Sequence, residues 1–220
     1  MIRLHVICEG HTEEMFVNEL LMAPMMSKGV LLCPAKIGRP GHKGGNVNFQ
    51  RLIADVRLRL LRDPACYCTT LLDYYGLPSA FPGKASADAY RNSQAKYQTV
   101  SDALSREVER VLGEAARRFI PYIQMHEFEG LLFSEPEILA ESIYMPQLAE
   151  SFGAIRNQFL TPEDINDSAN TAPSKRIERH FPGYDKPIHP LLAAGEIGLE
   201  AIRRECPLFD GWIQELESLA

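Results

Sequence analysis

The chain has 220 residues, 45% hydrophobic and 24% charged, with a formal net charge of −6. That is the composition of an ordinary globular protein, long enough for one well-buried domain or one domain with a helical appendage. It excludes a span of the bilayer, since no apolar run approaches the roughly 20 residues required. It also argues against broad coating of nucleic acid, which calls for a basic surplus, while leaving room for a local basic groove.

The chain enters a strand at once, over residues 3–8, with neither a charged leader nor a small-residue cleavage site, and so reads as cytoplasmic. The five cysteines (Cys8, Cys33, Cys66, Cys68 and Cys206) lie mostly in apolar strand-like segments. None has the paired spacing of a zinc site, so they read as buried free thiols.

After the first strand, Gly10-His11-Thr12 turns the chain. Thr12 is placed to cap a helix with Glu13 and Glu14 in its first turn, running to about Met26 with Phe16, Leu20 and Leu21 at core spacing. A second strand is expected over 30–37. A Gly-rich basic loop follows over 38–48, whose backbone N–H groups, with Arg39 and Lys43, suit a phosphate. It lacks the Gly-Lys-Ser/Thr ending of an ATP-binding loop. A helix over 49–62 carries Arg57, Arg59 and Arg62 on a solvated face. The third strand, 66–72, is apolar or β-branched on both faces, as a buried parallel strand should be. Asp73-Tyr74-Tyr75-Gly76 ends it, and the tyrosines either stack on a base or pack against the next loop.

A long helix is expected over 89–117 and a fourth strand over 119–125, leading into His126-Glu127-Phe128-Glu129. The pattern turns helical after Ser134. Residues 161–190, rich in proline and polar side chains, read as a long functional loop. It carries Lys175 and Arg176, which are suited either to phosphates or to an exposed basic turn. Two helices, 191–204 and 209–219, close the chain.

Strands alternating with helices predict a mostly parallel sheet covered on both faces, with ligands beyond the carboxyl ends of its strands. Glu9, Asp73 and Glu127 fall at that end of three strands, with Glu129 beside them. Oxygen-only ligands suit Mg²⁺, or Mn²⁺ in its place, and such an ion can orient and polarise a phosphodiester. The four acids are therefore the predicted metal ligands, with Glu9, Asp73, Glu127 and Lys175 as catalytic residues and Arg39, Lys43 and Arg176 as substrate-binding ones. The blander reading has Glu9 capping a helix, Asp73 starting a turn, and Glu127 and Glu129 solvated or salt-bridged. His126 is either a general base or structural.

The same residues carry a family resemblance. Val6-Ile7-Cys8-Glu9-Gly10-His11-Thr12-Glu13-Glu14-Met15-Phe16 resembles the "VEGxTEExF" opening of TOPRIM domains, the fold of topoisomerases, bacterial primases, ribosomal RNA maturases and OLD-type nucleases. Leu72-Asp73-Tyr74-Tyr75-Gly76-Leu77-Pro78, residues 126–133 and Ala172-Pro173-Ser174-Lys175-Arg176 resemble domain of unknown function family 4276. The resemblance implies a TOPRIM-like, Rossmann-like α/β core over 1–134, with a sheet of about four strands, and a helical extension over 135–220. It matches Glu9 to the TOPRIM glutamate, a metal ligand or general acid/base, and Asp73 to the first acid of the Asp-x-Asp pair. The second acid is replaced by Tyr75, and Glu127 and Glu129 are the expected substitutes. The implied function is a Mg²⁺-dependent nuclease acting on DNA or RNA, in a bacterial defence or nucleic-acid-processing module. An ATPase partner subunit and an oligomeric assembly are implied with it. The competing expectations are a non-catalytic partner or sensor subunit that keeps the fold, and a phosphoryl-transfer enzyme acting on a small nucleotide.

Overall fold

The computed structural model of the chain describes residues 1–38, 44, 47–166 and 171–220. The chain divides into two compact units, Met1–Ile123 with Leu216–Ala220, and Gln124–Glu215.

The first unit is the expected α/β arrangement. Strands β1 (Ile2–Cys8), β2 (Val30–Lys36), β3 (Cys66–Asp73) and β4 (Phe119–Ile120) form a sheet in the order β2-β1-β3-β4, every pairing on this path being parallel. The register sets Cys8 opposite both Lys36 and Leu71, so the carboxyl ends of the three long strands share one edge. Leu4, Val6, Ile7, Leu71 and Leu72 are fully buried, as a sheet covered on both faces requires.

The helices follow from local signals. Asn48 caps α3 (Phe49–Arg62) through a 3.0 Å hydrogen bond from the Arg51 N–H, and Leu52, Val56 and Leu60 form its core stripe. Arg57 and Arg62 lie on its exposed face as expected, but Arg59 turns inward to Asp55 at 3.3 Å. After the short helix α4 (Lys84–Ala87), Asn92 caps α5 (Ser93–Leu112) in the same way, and Gly113, with φ of 54°, ends it. The first helix starts at His11 rather than at Thr12, because Glu13 accepts the Gly10 N–H at 2.7 Å. It runs as α1 (His11–Phe16), a wide π turn over Val17–Leu21, and α2 (Met22–Ser27). Pro24 cannot donate to the carbonyl one turn back, and the wide turn immediately before it relieves that misfit.

The fourth strand is shorter than the sequence predicts. Pro121 interrupts it, leaving β4 and a second two-residue strand, β5 (Ile123–Gln124), which pairs with β3 off the main path. Across the break, Thr70 Oγ1 accepts the Tyr122 N–H at 2.9 Å and donates to the Tyr122 carbonyl at 2.7 Å. A buried threonine side chain thus replaces the ladder bonds that the proline interrupts.

The second unit is helical. It opens on a 3-10 turn, Phe128–Ser134, and continues through α6 (Pro136–Ser142), α7 (Ala149–Arg156), α8 (Pro173–His180), α9 (His189–Ile197) and α10 (Leu199–Glu205). Helix α11 (Pro207–Glu217) lies in this unit as far as Glu215. The stretch read as a loop over 161–190 contains α8, and the helix expected over 191–204 is broken at Gly198, whose φ of 79° no helix interior adopts. Phe133 against Phe152 and Phe209 against Trp212 pack edge to face in its core. All five cysteines are free thiols, Cys33 half-buried and the others buried. Among the described residues no helix is long and apolar enough to cross a membrane.

Candidate acidic site at the sheet edge

Glu9 is the first residue beyond β1, and its N–H extends the sheet by donating to the Leu71 carbonyl at 3.1 Å. Its side chain crosses to the neighbouring strand, where Glu9 Oε2 accepts the Asp73 N–H at 3.1 Å. Glu9 and Asp73 are both half-buried. The structure therefore brings these two predicted residues together at the carboxyl edge, through strand adjacency rather than sequence proximity.

A 3-10 turn, Tyr74–Gly76, then folds back over Glu9. A Cβ on Gly76 would lie 2.5 Å from both Glu9 carboxylate oxygens, closer than any real contact, so only glycine leaves the carboxylate in place. The turn is anchored from below. Tyr74 is buried, its hydroxyl donates to Asp88 Oδ1 at 2.7 Å, and Lys84 Nζ sits 4.2 Å from its ring centre. Lys84 also bonds both Asp88 oxygens, at 2.6 and 2.8 Å. Tyr74 thus packs rather than offering a free face to a base. Nothing in the sequence marked Lys84, whose burial arises only from this packing. Glu13 is buried, and that burial holds its carboxyl above the usual range.

Gly76→Ala tests the cradle directly. The added methyl is expected to displace the Glu9 carboxylate, and any divalent-ion affinity that rests on Glu9 together with Asp73 to fall at least about tenfold. Calorimetric titration with Mn²⁺ measures it, and unchanged affinity with an intact fold would show that the cradle is irrelevant.

The remaining predicted residues stand elsewhere. Arg39 and Lys43 lie outside the described residues. Glu127 and Glu129 belong to the second unit, as do Lys175 and Arg176. Glu127 Oε2 accepts the Ser174 N–H at 3.0 Å, capping the first turn of α8. Glu129 is buried, with Lys186 Nζ at 4.0 Å from Oε1. Lys175 is ion-paired with Glu178 at 2.6 Å, and this contact, with the Glu127 and Glu129 carboxylates beyond it, raises its pKa. Arg176 donates to the Thr171 carbonyl at 2.7 Å and lies 5.1 Å from the Phe159 ring centre. His126 is buried in a left-handed conformation with φ of 65°, its Nδ1 3.2 Å from Asn166 Nδ2.

Two further residues of this unit escaped sequence reasoning. Tyr184 is 9% exposed, and its hydroxyl has no hydrogen-bond partner among the described residues. Burial, then Glu129 and Glu127, hold it protonated. Glu163 is 1% exposed and accepts the N–H groups of Leu208 and Phe209 at 2.9 and 2.8 Å, capping α11. A run of acids at a proline turn was the only available signal for it.

Among the described residues, no group of three or more His, Cys, Asp or Glu gathers as a metal cluster. Glu9 and Asp73 nevertheless offer carboxylate oxygens, the donor class that a small hard cation takes. Mg²⁺ keeps several of its waters and takes one or two carboxylates together with substrate phosphates.

Fold and site together define an α/β protein with a carboxylate pair at the carboxyl edge of a parallel sheet. The chain belongs to the family described as a domain of unknown function, DUF4276, which it matches over residues 8–217. No curated protein matches it. Among solved structures it is similar to the C-terminal region of the Xanthomonas campestris pv. campestris OLD protein. The iodine-phased structure has 16% identity and a TM-score of 0.39, with 98% of each chain covered. The platinum-phased structure has 15% identity and a TM-score of 0.39, with 97% of this chain and 95% of the other covered.

Proposed function

We propose that the protein is a Mg²⁺-dependent phosphodiesterase of TOPRIM type acting on nucleic acid. The observation that carries this reading is the Glu9 carboxylate, held across the sheet edge on the Asp73 amide under Gly76. The opening Glu9-Gly10-His11-Thr12-Glu13-Glu14 supports it as the TOPRIM-like motif. In this reading Glu9 and Asp73 hold the ion. When bound, Mg²⁺ orients the phosphodiester and offsets charge developing on its oxygens. Glu127 and Glu129 are the proposed further acids, standing in for the absent second aspartate at Tyr75. Lys175, with Arg39, Lys43 and Arg176, is proposed to contact the phosphates. The test is nicking or degradation of DNA and RNA with Mg²⁺ or Mn²⁺, read beside calorimetric binding of Mn²⁺. Cleavage that persists in chelator would overturn the reading.

A second reading, a non-catalytic subunit of an ATPase assembly that keeps the fold, is favoured by one observation. Tyr75 stands where the second acid is expected, with its ring 6.4 Å from that of Tyr74. Absence of Mn²⁺ binding in a folded chain would select it.

A further inference from the structure

Helix α3 carries a second apolar stripe besides the one it buries. Leu58 and Leu61 are 45% and 55% exposed, and with Val111 near the end of α5 they line a groove of about 590 Å³ in the first unit. Three arginines, Arg57, Arg62 and Arg110, rim it, Arg110 being 2.9 Å from Glu107. An apolar trough edged by exposed arginines is unusual on a chain whose net charge is −6.

The second unit presents the opposite chemistry. Tyr144 and Leu192 are 81% and 45% exposed and, with Glu141 and Glu196, border a small hollow of about 250 Å³. Tyr144 also stands where the backbone disfavours it. The Tyr144 N–H donates to the Glu141 carbonyl at 2.9 Å, and the Met145 N–H donates to the Ala140 carbonyl at 2.9 Å. These two bonds form the helix-ending motif whose left-handed residue is usually glycine. Here that residue is a tyrosine with φ of 59°. Nothing in the fold requires an aromatic there, since its side chain is mostly in solvent. A tyrosine in this conformation without a packing role points to a use at the surface.

We propose that these two surfaces dock on each other between copies of the chain. Tyr144 and Leu192 of one copy enter the groove beside Leu58, Leu61 and Val111 of the next, while Glu141 and Glu196 face the arginine rim. Because the two patches differ, reciprocal pairing of both closes a two-fold dimer, whereas one-way pairing builds a ring or a filament. The groove is lined by apolar and cationic side chains together, a mixture common in specific protein contacts.

Sedimentation velocity on the full chain, from micromolar to millimolar concentration, tests this. The average mass is expected to rise at least about twofold and to fall with added salt. Tyr144→Gly relieves the strained backbone, so it should leave the melting temperature unchanged or raised while returning the chain to monomer. The charge-reversed variants Arg57→Glu/Arg62→Glu and Glu141→Arg/Glu196→Arg should each be monomeric alone and associate when mixed. A wild-type chain that stays monomeric throughout the range overturns the proposal. So does association that survives Tyr144→Gly. If instead Arg57→Glu/Arg62→Glu abolishes oligonucleotide binding without changing the mass, the groove serves nucleic acid and the proposal is wrong. None of these readouts depends on divalent ions or cleavage.

Discussion

Glu9→Gln is expected to lower the proposed Mg²⁺-dependent cleavage by about 10³ or more while costing under about 1 kcal/mol of stability. Several kcal/mol of charge stabilisation vanish with the ion, and each 1.36 kcal/mol is about a factor of ten in rate. The fold survives because the glutamine oxygen still accepts the Asp73 N–H that Glu9 Oε2 accepts at 3.1 Å. Asp73→Asn should behave alike, and the double variant should be no worse than either single one, since both remove the same ion. Cleavage rate against Mg²⁺ concentration, with circular dichroism as the control for folding, checks this. Wild-type rates in both folded variants would end the proposed role of the pair.

The second large effect concerns stability. Glu163 is almost fully buried and its pKa is raised from 4.5 to about 7, burial outweighing the hydrogen bonds from the Leu208 and Phe209 N–H groups that favour the ionised form. A carboxyl whose folded pKa exceeds its unfolded one binds its proton more tightly in the folded state. Its contribution to stability is therefore full below about 4.5, declines as pH rises, and is lost above about 7. The span corresponds to roughly 3 kcal/mol. Glu163→Gln cannot titrate, so the difference in unfolding free energy between wild type and variant should shrink across that window as pH rises. Denaturant unfolding at several pH values measures it, and parallel curves for the two proteins would refute the assignment. The variant should also be less stable than wild type at acid pH, because its amide N–H₂ faces a helix N-terminus already rich in donors.

Much of this was legible in the chain because its signals are local. The helix expected over 49–62 is found with those limits, since Asn48 caps it and its apolar residues repeat at helical spacing. The buried third strand announced itself by apolar and β-branched residues on both faces. Glu9 and Asp73 were legible too, since strand ends in a parallel sheet converge wherever the strands are neighbours. The fourth strand was overread because the apolar pattern continues through Pro121, and only the ladder shows that it cannot pair there.

Sequence by itself determined the parallel α/β core, the burial of its strands, and the position of the acidic pair at strand ends. Each of these depends on side-chain period, caps and connection lengths. Tertiary structure alone decided that Gly76 roofs Glu9, that Lys84 is buried beneath Tyr74, and that Glu163 caps a helix starting 44 residues later. The first and last of these join segments distant in sequence, the second closes an irregular turn, and no local pattern encodes which of many similar residues will meet once the elements pack.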